Sequence, residues 1–436
     1  MAILNKTIQY GTLLFVFLIP WQARLILSEG SINGKYWEYG TKSLYATEIA
    51  LLVVLLALVV RGAIYIHKNK PKLNARRLYS PVGALLLLII WAGASCVWSI
   101  DCSVAFDRWI ALIEAIVVFL ILSSGIVSYK KLCLAIILSG LIQASFAIAQ
   151  FLLQSVPSST LLGMASQDAQ NLGVSVVETD LRRWLRAYGT FPHPNILGAW
   201  LALSLVLLVE KMRKQSQNLL DVLNYPMLII LLFGLGATFS RSAWLGFGIF
   251  LVIFVVWLFI RHAWIQGIKI ALITILSVAC FYAIFPEPMN TRLGLQARLE
   301  VKSNTEHMAS VAQGWEIIKQ NPLLGVGMGN YGLAVHGQID DAQEAWFYQP
   351  VHNVYILILA ELGIIGILLM AYSLWLIAFH GISKKTLLNA GVFFIPIIVI
   401  ASFDHYLWSL YSGMMISAVY VGVLIALIRK EHNLIG

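Results

Sequence analysis

The sequence predicts an all-α polytopic membrane protein, and three observations carry that expectation. Of 436 residues, 59% are hydrophobic and only 12% are charged, too apolar for a soluble chain of this size. Continuous apolar runs of about twenty residues recur from end to end, each able to cross a hydrocarbon core of about 30 Å. The runs are unbroken rather than alternating with period two, which excludes an outer-membrane barrel. A net charge of +9 would suggest nucleic acid on a soluble protein. Here the charge is distributed as in a membrane protein, so the bilayer and not nucleic acid is the expected partner.

In chain order, about twelve transmembrane helices are expected, near 7–27, 44–66, 81–99, 104–126, 132–153, 191–210, 222–239, 242–260, 268–285, 352–379, 387–404 and 408–428. The opening MAILNKTIQYGTLLFVFLIPW has no small-residue cleavage site and reads as a retained first helix. If HKNKPKLNARRL at 67–78 marks the inside, 18 of the 30 lysines and arginines fall on that side. They sit in short connections, where the positive-inside rule is strongest, so both termini are expected in the cytoplasm. Residues 1–436 then form one integral membrane domain, with a first outer loop at 154–190 and a large outer loop at 286–350 between spans nine and ten. Long loops on a rigid scaffold are where sites are assembled, so the site is expected on the outer face.

The large loop contains a readable amphipathic helix. Ser303 with Glu306 three residues later forms a capping-box signal. Met308, Val311, Ala312, Trp315 and Ile318 then give an apolar stripe that should lie against the membrane or cap a cavity. Asn321-Pro322 stops the helix. The glycines of LGVGMGN (324–330) suit either a tight turn or backbone amides approaching a phosphate. Of the four cysteines, Cys133 and Cys280 read as packing residues, while Cys96 and Cys102 lie near enough in sequence for a disulfide.

Ionisable residues in or beside apolar segments are the site candidates, because burying them is expensive. His352, in PVHNVYILILAELGIIG (350–366), is a neutral-range base at the mouth of a span. Glu361, nine residues on, lies about half a turn around an unbroken helix and about 13 Å along it, so it reads as a packing or supporting partner. Arg241 in TFSRSAW, at a tight turn between spans, needs an anionic partner or water. Arginine suits phosphate oxygens because it binds them bidentately and keeps its charge when half-buried. Arg186 closes LRRWLRAYG beside a stiff PHPN turn; if that segment is helical, Arg182 and Arg186 share a face. His193 and Asn195 in that turn, Asn353 beside His352, and Arg298 in TRLGLQARLEVKS are further substrate-binding candidates. Arg292 ranks behind Arg298, His307 and His336 have weaker claims, and the Asp404-His405 pair reads as structural.

No phosphate-binding GxxxxGK[ST] loop and no D-x-D cluster occurs, so neither ATP nor a divalent cation nor any other cofactor is expected. Arginines would then supply the charge that a metal otherwise supplies.

Four segments together resemble the O-antigen ligase/polymerase superfamily of bacterial membrane glycosyltransferases: RAYGTFPHPNILG (186–198), FSRSAWL (239–245), GWEIIKQNPLLGVGMGNY (314–331) and HNVYILILAELGIIG (352–366). The resemblance implies a GT-C-like, metal-independent, inverting enzyme. It would move a glycan from undecaprenyl diphosphate to a hydroxyl on a glycolipid or glycan acceptor, at the outer face of the bacterial inner membrane. It implies Arg186 and Arg241 as diphosphate-binding cations and His352 as the residue acting on the acceptor hydroxyl. Family members often place an arginine just before the large-loop helix. This chain has Glu306-His307-Met308 there, leaving Arg298 as a substitute or the third cation missing. The motifs do not separate ligase from polymerase. The rival class, a twelve-span secondary transporter, would place polar residues near mid-membrane and show related halves. Here the polar residues cluster at the outer ends of the spans and the halves look unrelated.

Overall fold

A computed structural model describes residues 2–69, 80–213, 219–294, 297–379 and 391–435. The protein is mostly helical. Among the described residues, seven helices are long and apolar enough to cross a membrane: Ala46–Asn69, Tyr129–Leu153, Pro194–Arg213, Arg241–Ile260, Trp264–Ile284, Val354–Phe379 and Tyr411–Arg429. Shorter apolar helices cover Ala2–Leu18, Pro81–Val97, Asn224–Thr238 and Val392–Phe403. A further helix, Cys102–Ser123, carries Asp107, Arg108 and Glu114. The basic runs expected on the inner side at 70–79, at Lys214 and at 384–385 lie outside the described residues.

Burial and hydropathy run opposite to the pattern of a soluble protein. Pro194–Arg213 is 89% buried with a mean hydropathy of 1.6, whereas Ala46–Asn69 is 17% buried with 2.7. Lipid is as apolar as leucine, so the outermost helices can be the greasiest, and the inner ones pack through small residues instead. Gly198 shows this: a Cβ there would sit 2.9 Å from Ser240 and 3.0 Å from Ala243, so glycine lets Pro194–Arg213 and Arg241–Ile260 cross closely.

The connections interlock. Strand Arg24–Ser28 pairs with Lys42–Tyr45, and Val176–Glu178 pairs with Arg183–Leu185. Trp37 Nε1 donates to the Tyr348 carbonyl at 2.9 Å, and Thr179 meets Glu287. These bonds join the 19–45, 154–190 and 286–350 segments over one end of the helices.

Two local expectations are corrected. The LRRWLRAYG segment holds a strand rather than a helix, because the β-branched Val176 and Val177 offer a partner and Thr179 closes the turn onto the Arg182 carbonyl. Arg182 stays exposed over the Trp184 ring, while Arg186 is buried. The long-loop helix runs Arg298–Gln320, so Ser303 is interior and not its cap. It buries Gly314, Ile317 and Ile318 but leaves Met308 and Trp315 exposed. Cys96 and Cys102 are free thiols.

Helix Val354–Phe379 is broken at Gly363, whose φ of 66° and ψ of −173° only glycine adopts readily. The break frees carbonyls, and neighbouring segments take them up, as a membrane interior requires. Val326 and Gly327 amides bond the carbonyls of Ala360 and Glu361 at 2.9 Å, and Trp91 Nε1 bonds that of Leu362 at 2.9 Å. Two amides of the LGVGMGN loop are thus spent on the kink, and that of Met328 on Ser95. In Gly363→Ala the new Cβ would lie 2.1 Å from the Leu323 carbonyl oxygen. We expect a loss of about 3 kcal/mol or more, read as a lower Tm of the purified protein. Gly248→Ala, where a Cβ meets nothing within 4 Å, should leave Tm unchanged. Equal Tm values for the two variants would contradict this account of the kink.

Candidate functional site

The site is organised around the end of helix Asn224–Thr238. Phe239 turns the chain into the left-handed region, with φ 48°, and exposes the last carbonyls of the helix. Such carbonyls lack helical donors and carry the negative end of the helix dipole, so they attract cations. Arg186 Nε donates to the Thr238 carbonyl at 2.8 Å, and Arg292 Nε to that of Phe239 at 3.0 Å. Arg241 opens the next helix two residues later. Three guanidiniums therefore converge on one turn.

Glu300, from the first turn of Arg298–Gln320, faces two of them. Its Oε1 is 2.5 Å from Arg292 Nη1 and its Oε2 is 3.3 Å from Arg241 Nη1. Arg241 also donates to Asn304 Oδ1 at 3.0 Å. Arg186 continues in the other direction: its Nη2 donates to Asn195 Oδ1 at 2.5 Å, and Asn195 Nδ2 donates to Asp404 Oδ2 at 3.0 Å. Ser242 Oγ donates to the same Asp404 oxygen at 3.3 Å. Burial, then the charge of Arg292, lowers the proton affinity of the Arg186 guanidinium.

The other Asp404 oxygen lies 3.8 Å from His352 Nδ1, within charge reach but short of a hydrogen bond. Asn353 sets this approach. Its Oδ1 caps the helix by accepting from the amides of Tyr355 and Ile356, and its Nδ2 ties the turn to the Ser402 carbonyl. The His352 ring stacks on His307 with centroids 4.2 Å apart and lies 4.9 Å from His405. His405 Nδ1 is 2.7 Å from Ser409 Oγ. A cavity of about 720 Å³ opens in front of His352 and Asp404, lined also by Tyr39, His193, Asn195 and His405.

The structure thus brings Arg186, Arg241, Asn195, His193 and His352 into one neighbourhood. It does not bring Arg298 there. That side chain is 74% exposed and pairs with Glu178 at 2.9 Å, because its helix starts with Arg298 pointing outward and Glu300 inward. Asn353 is committed to its cap. Glu361 lies beyond the histidine turn and accepts from Trp408 Nε1 at 2.8 Å, in keeping with a packing role. Arg292, Glu300, His307 and Asp404 are the residues that sequence reasoning ranked low or passed over. Sequence spacing holds no sign of Arg292 meeting Glu300 or of His307 meeting His352, whereas Asp404-His405 at the end of an apolar helix was a usable signal.

Among the described residues, three histidines here are held neutral. Burial, followed by the Arg186 charge, pushes His193 down to about 3. Burial, followed by the His352 charge, pushes His307 down to about 4 and His405 well below the usual range. Each binds its proton less readily folded than unfolded, so their stability contribution is full above the unfolded value of about 6.5. It is lost as pH falls from there towards 4. We expect the Tm of the purified protein to hold between pH 7 and 8 and to drop at pH 5, and the drop to be smaller in His307→Gln. A Tm independent of pH across this range would contradict that burial.

No curated protein matches the chain. Residues 226–371, which include Arg241, Arg292, Glu300, His307 and His352, match the family model described as O-Antigen ligase; the match bears out the resemblance to the O-antigen ligase/polymerase superfamily and covers three of its four segments, with 186–198 lying outside it.

Proposed function

We propose that this membrane protein transfers a glycan from an undecaprenyl-diphosphate-linked donor to a hydroxyl of a glycolipid or glycan acceptor, as an inverting ligase or polymerase of GT-C-like architecture. In this reading about twelve spans hold both termini in the cytoplasm of a bacterial cell. The 154–190 and 286–350 loops and the site face outward from the inner membrane. The observation that carries it is the chain Arg186–Asn195–Asp404–His352, which couples a cluster of cations to a general base across 2.5, 3.0 and 3.8 Å contacts.

The chemistry follows from the charges. The acceptor oxygen attacks the anomeric carbon, and the bond from that carbon to the diphosphate oxygen breaks with its electron pair going to the diphosphate. The hydroxyl proton passes to His352. Asp404 orients the imidazole and stabilises the imidazolium, the role a carboxylate plays behind a histidine base. Arg241 and Arg186, with Arg292 beside them, meet negative charge that grows on the leaving group, and so stabilise the transition state more than the ground state. A single displacement inverts the anomeric centre. Fixed guanidiniums supply the countercharge, so the reading requires no divalent cation.

The test is release of undecaprenyl diphosphate from a lipid-linked glycan by the purified protein with chelator present. His352→Ala should lower kcat by about 10²–10⁴-fold, Arg241→Gln should lower kcat/KM by about 10²–10³-fold, and Asp404→Asn should fall between wild type and His352→Ala. Chelator should have no effect. Full activity in both His352→Ala and Arg241→Gln would overturn the reading.

A further inference from the structure

Glu300 poses a question that the transfer chemistry does not answer. A carboxylate that is 2% exposed sits where an incoming phosphate would be expected, between Arg241 and Arg292. Its hold is incomplete. Oε1 makes a short contact with Arg292, but Oε2 is buried without a hydrogen bond and meets Arg241 only at ion-pair distance. A buried acceptor left without a donor is costly, which marks this pairing as replaceable by an anion with better geometry.

The way Glu300 is attached also matters. It comes from the long-loop helix and not from the scaffold. The first half of that helix meets the body through Arg298–Glu178, Arg241–Asn304, the Glu300 pairs and the His307–His352 stack. Its second half is anchored by packing, with Gly314 against Ile356 and with Ile317 and Ile318 buried. An anion competes with the polar first half and leaves the packed second half in place.

Arg241 is the first residue of a membrane-length helix and its side chain is 31% exposed. A partly open cation at that level is within reach of phospholipid headgroups, which vastly outnumber any lipid-linked sugar. We propose that Glu300 is a specificity-determining residue: it holds the arginine cluster as a tethered anion that phospholipid phosphodiesters do not displace and a lipid-linked diphosphate does. The proposal rests on reading the cluster as the donor's diphosphate site.

Charge balance gives the discrimination. Of the three guanidiniums, those of Arg241 and Arg292 face Glu300 directly, and that of Arg186 faces Asp404 through Asn195. A phosphodiester replacing Glu300 exchanges one charge for one charge, against a competitor whose tether gives it a high effective concentration. A diphosphate replacing Glu300 brings a charge on each phosphate, so that with Asp404 it balances the three cations. It also offers more oxygens for bidentate arginine contacts. Displacing Glu300 would carry the first half of the helix outward and separate His307 from His352, freeing the base only when donor is present.

The experiment uses full-length protein in phosphatidylcholine vesicles with rising fractions of phosphatidylglycerol, reading kcat and KM for the lipid-linked donor. Wild type should keep its donor KM as phosphatidylglycerol rises. Glu300→Gln should show a lower KM in phosphatidylcholine alone and a rise of about tenfold or more with phosphatidylglycerol. Glu300→Asp keeps the charge one methylene shorter and should give an intermediate response if Glu300→Gln does not fold. On wild type, hydrogen exchange at 298–310 should increase with undecaprenyl diphosphate and not with phosphatidylglycerol. The same phosphatidylglycerol response in wild type and both variants, or unchanged exchange with either lipid, overturns the proposal. A donor KM that is equally insensitive to Arg241→Gln would instead overturn the reading of the cluster as the donor site.

Discussion

Three arginines gathered at the end of one apolar helix repel one another, and the surrounding architecture is built to offset that repulsion. The carbonyls left open at Thr238 and Phe239 take two of the guanidiniums. The Glu300 carboxylate spans two of them, and Asn195 relays the third to Asp404. Each partner comes from a different stretch of chain, so forming the cluster pins the 154–190 segment, the long-loop helix and the turn at 404 to the same point. In the function proposed above, a cation cluster that holds three loops together also serves as a pre-organised receptor for the donor's diphosphate.

The fold makes such a cluster possible by treating lipid as its solvent. Among the seven described helices able to cross a membrane, the least apolar, Pro194–Arg213, is the most enclosed, and it brings Asn195 and His193 to the cavity from its first turn and the PHPN turn before it. The break at Gly363 performs a related service. It lets the LGVGMGN loop plug into Val354–Phe379, and that fixes the helix whose capped start presents His352.

The helices were legible in the sequence because apolar runs of membrane length leave few alternatives, and each region expected to span holds a helix. Their ends were less legible: four apolar helices are shorter than a full span, and Phe239 and Val97 show why, since a left-handed residue and a tightened last turn end them early. Arg186, Arg241 and His352 could be singled out because each stands beside a stiff turn next to an apolar run. Arg292 could not, because its meaning depends on Glu300 folding back from eight residues away. The strand at Arg183–Leu185 was missed because its partner, Val176–Glu178, is too short to read as a strand alone. His307 lies in the interior of Arg298–Gln320, and only the stack on His352 gives it a place.

The most direct test of this account is a structure of the full-length protein with undecaprenyl diphosphate bound in a bilayer mimic. The account places the diphosphate oxygens within hydrogen-bond reach of Arg241 and Arg186, on the side facing His352. A diphosphate bound away from both arginines, in a well-ordered complex, would contradict it.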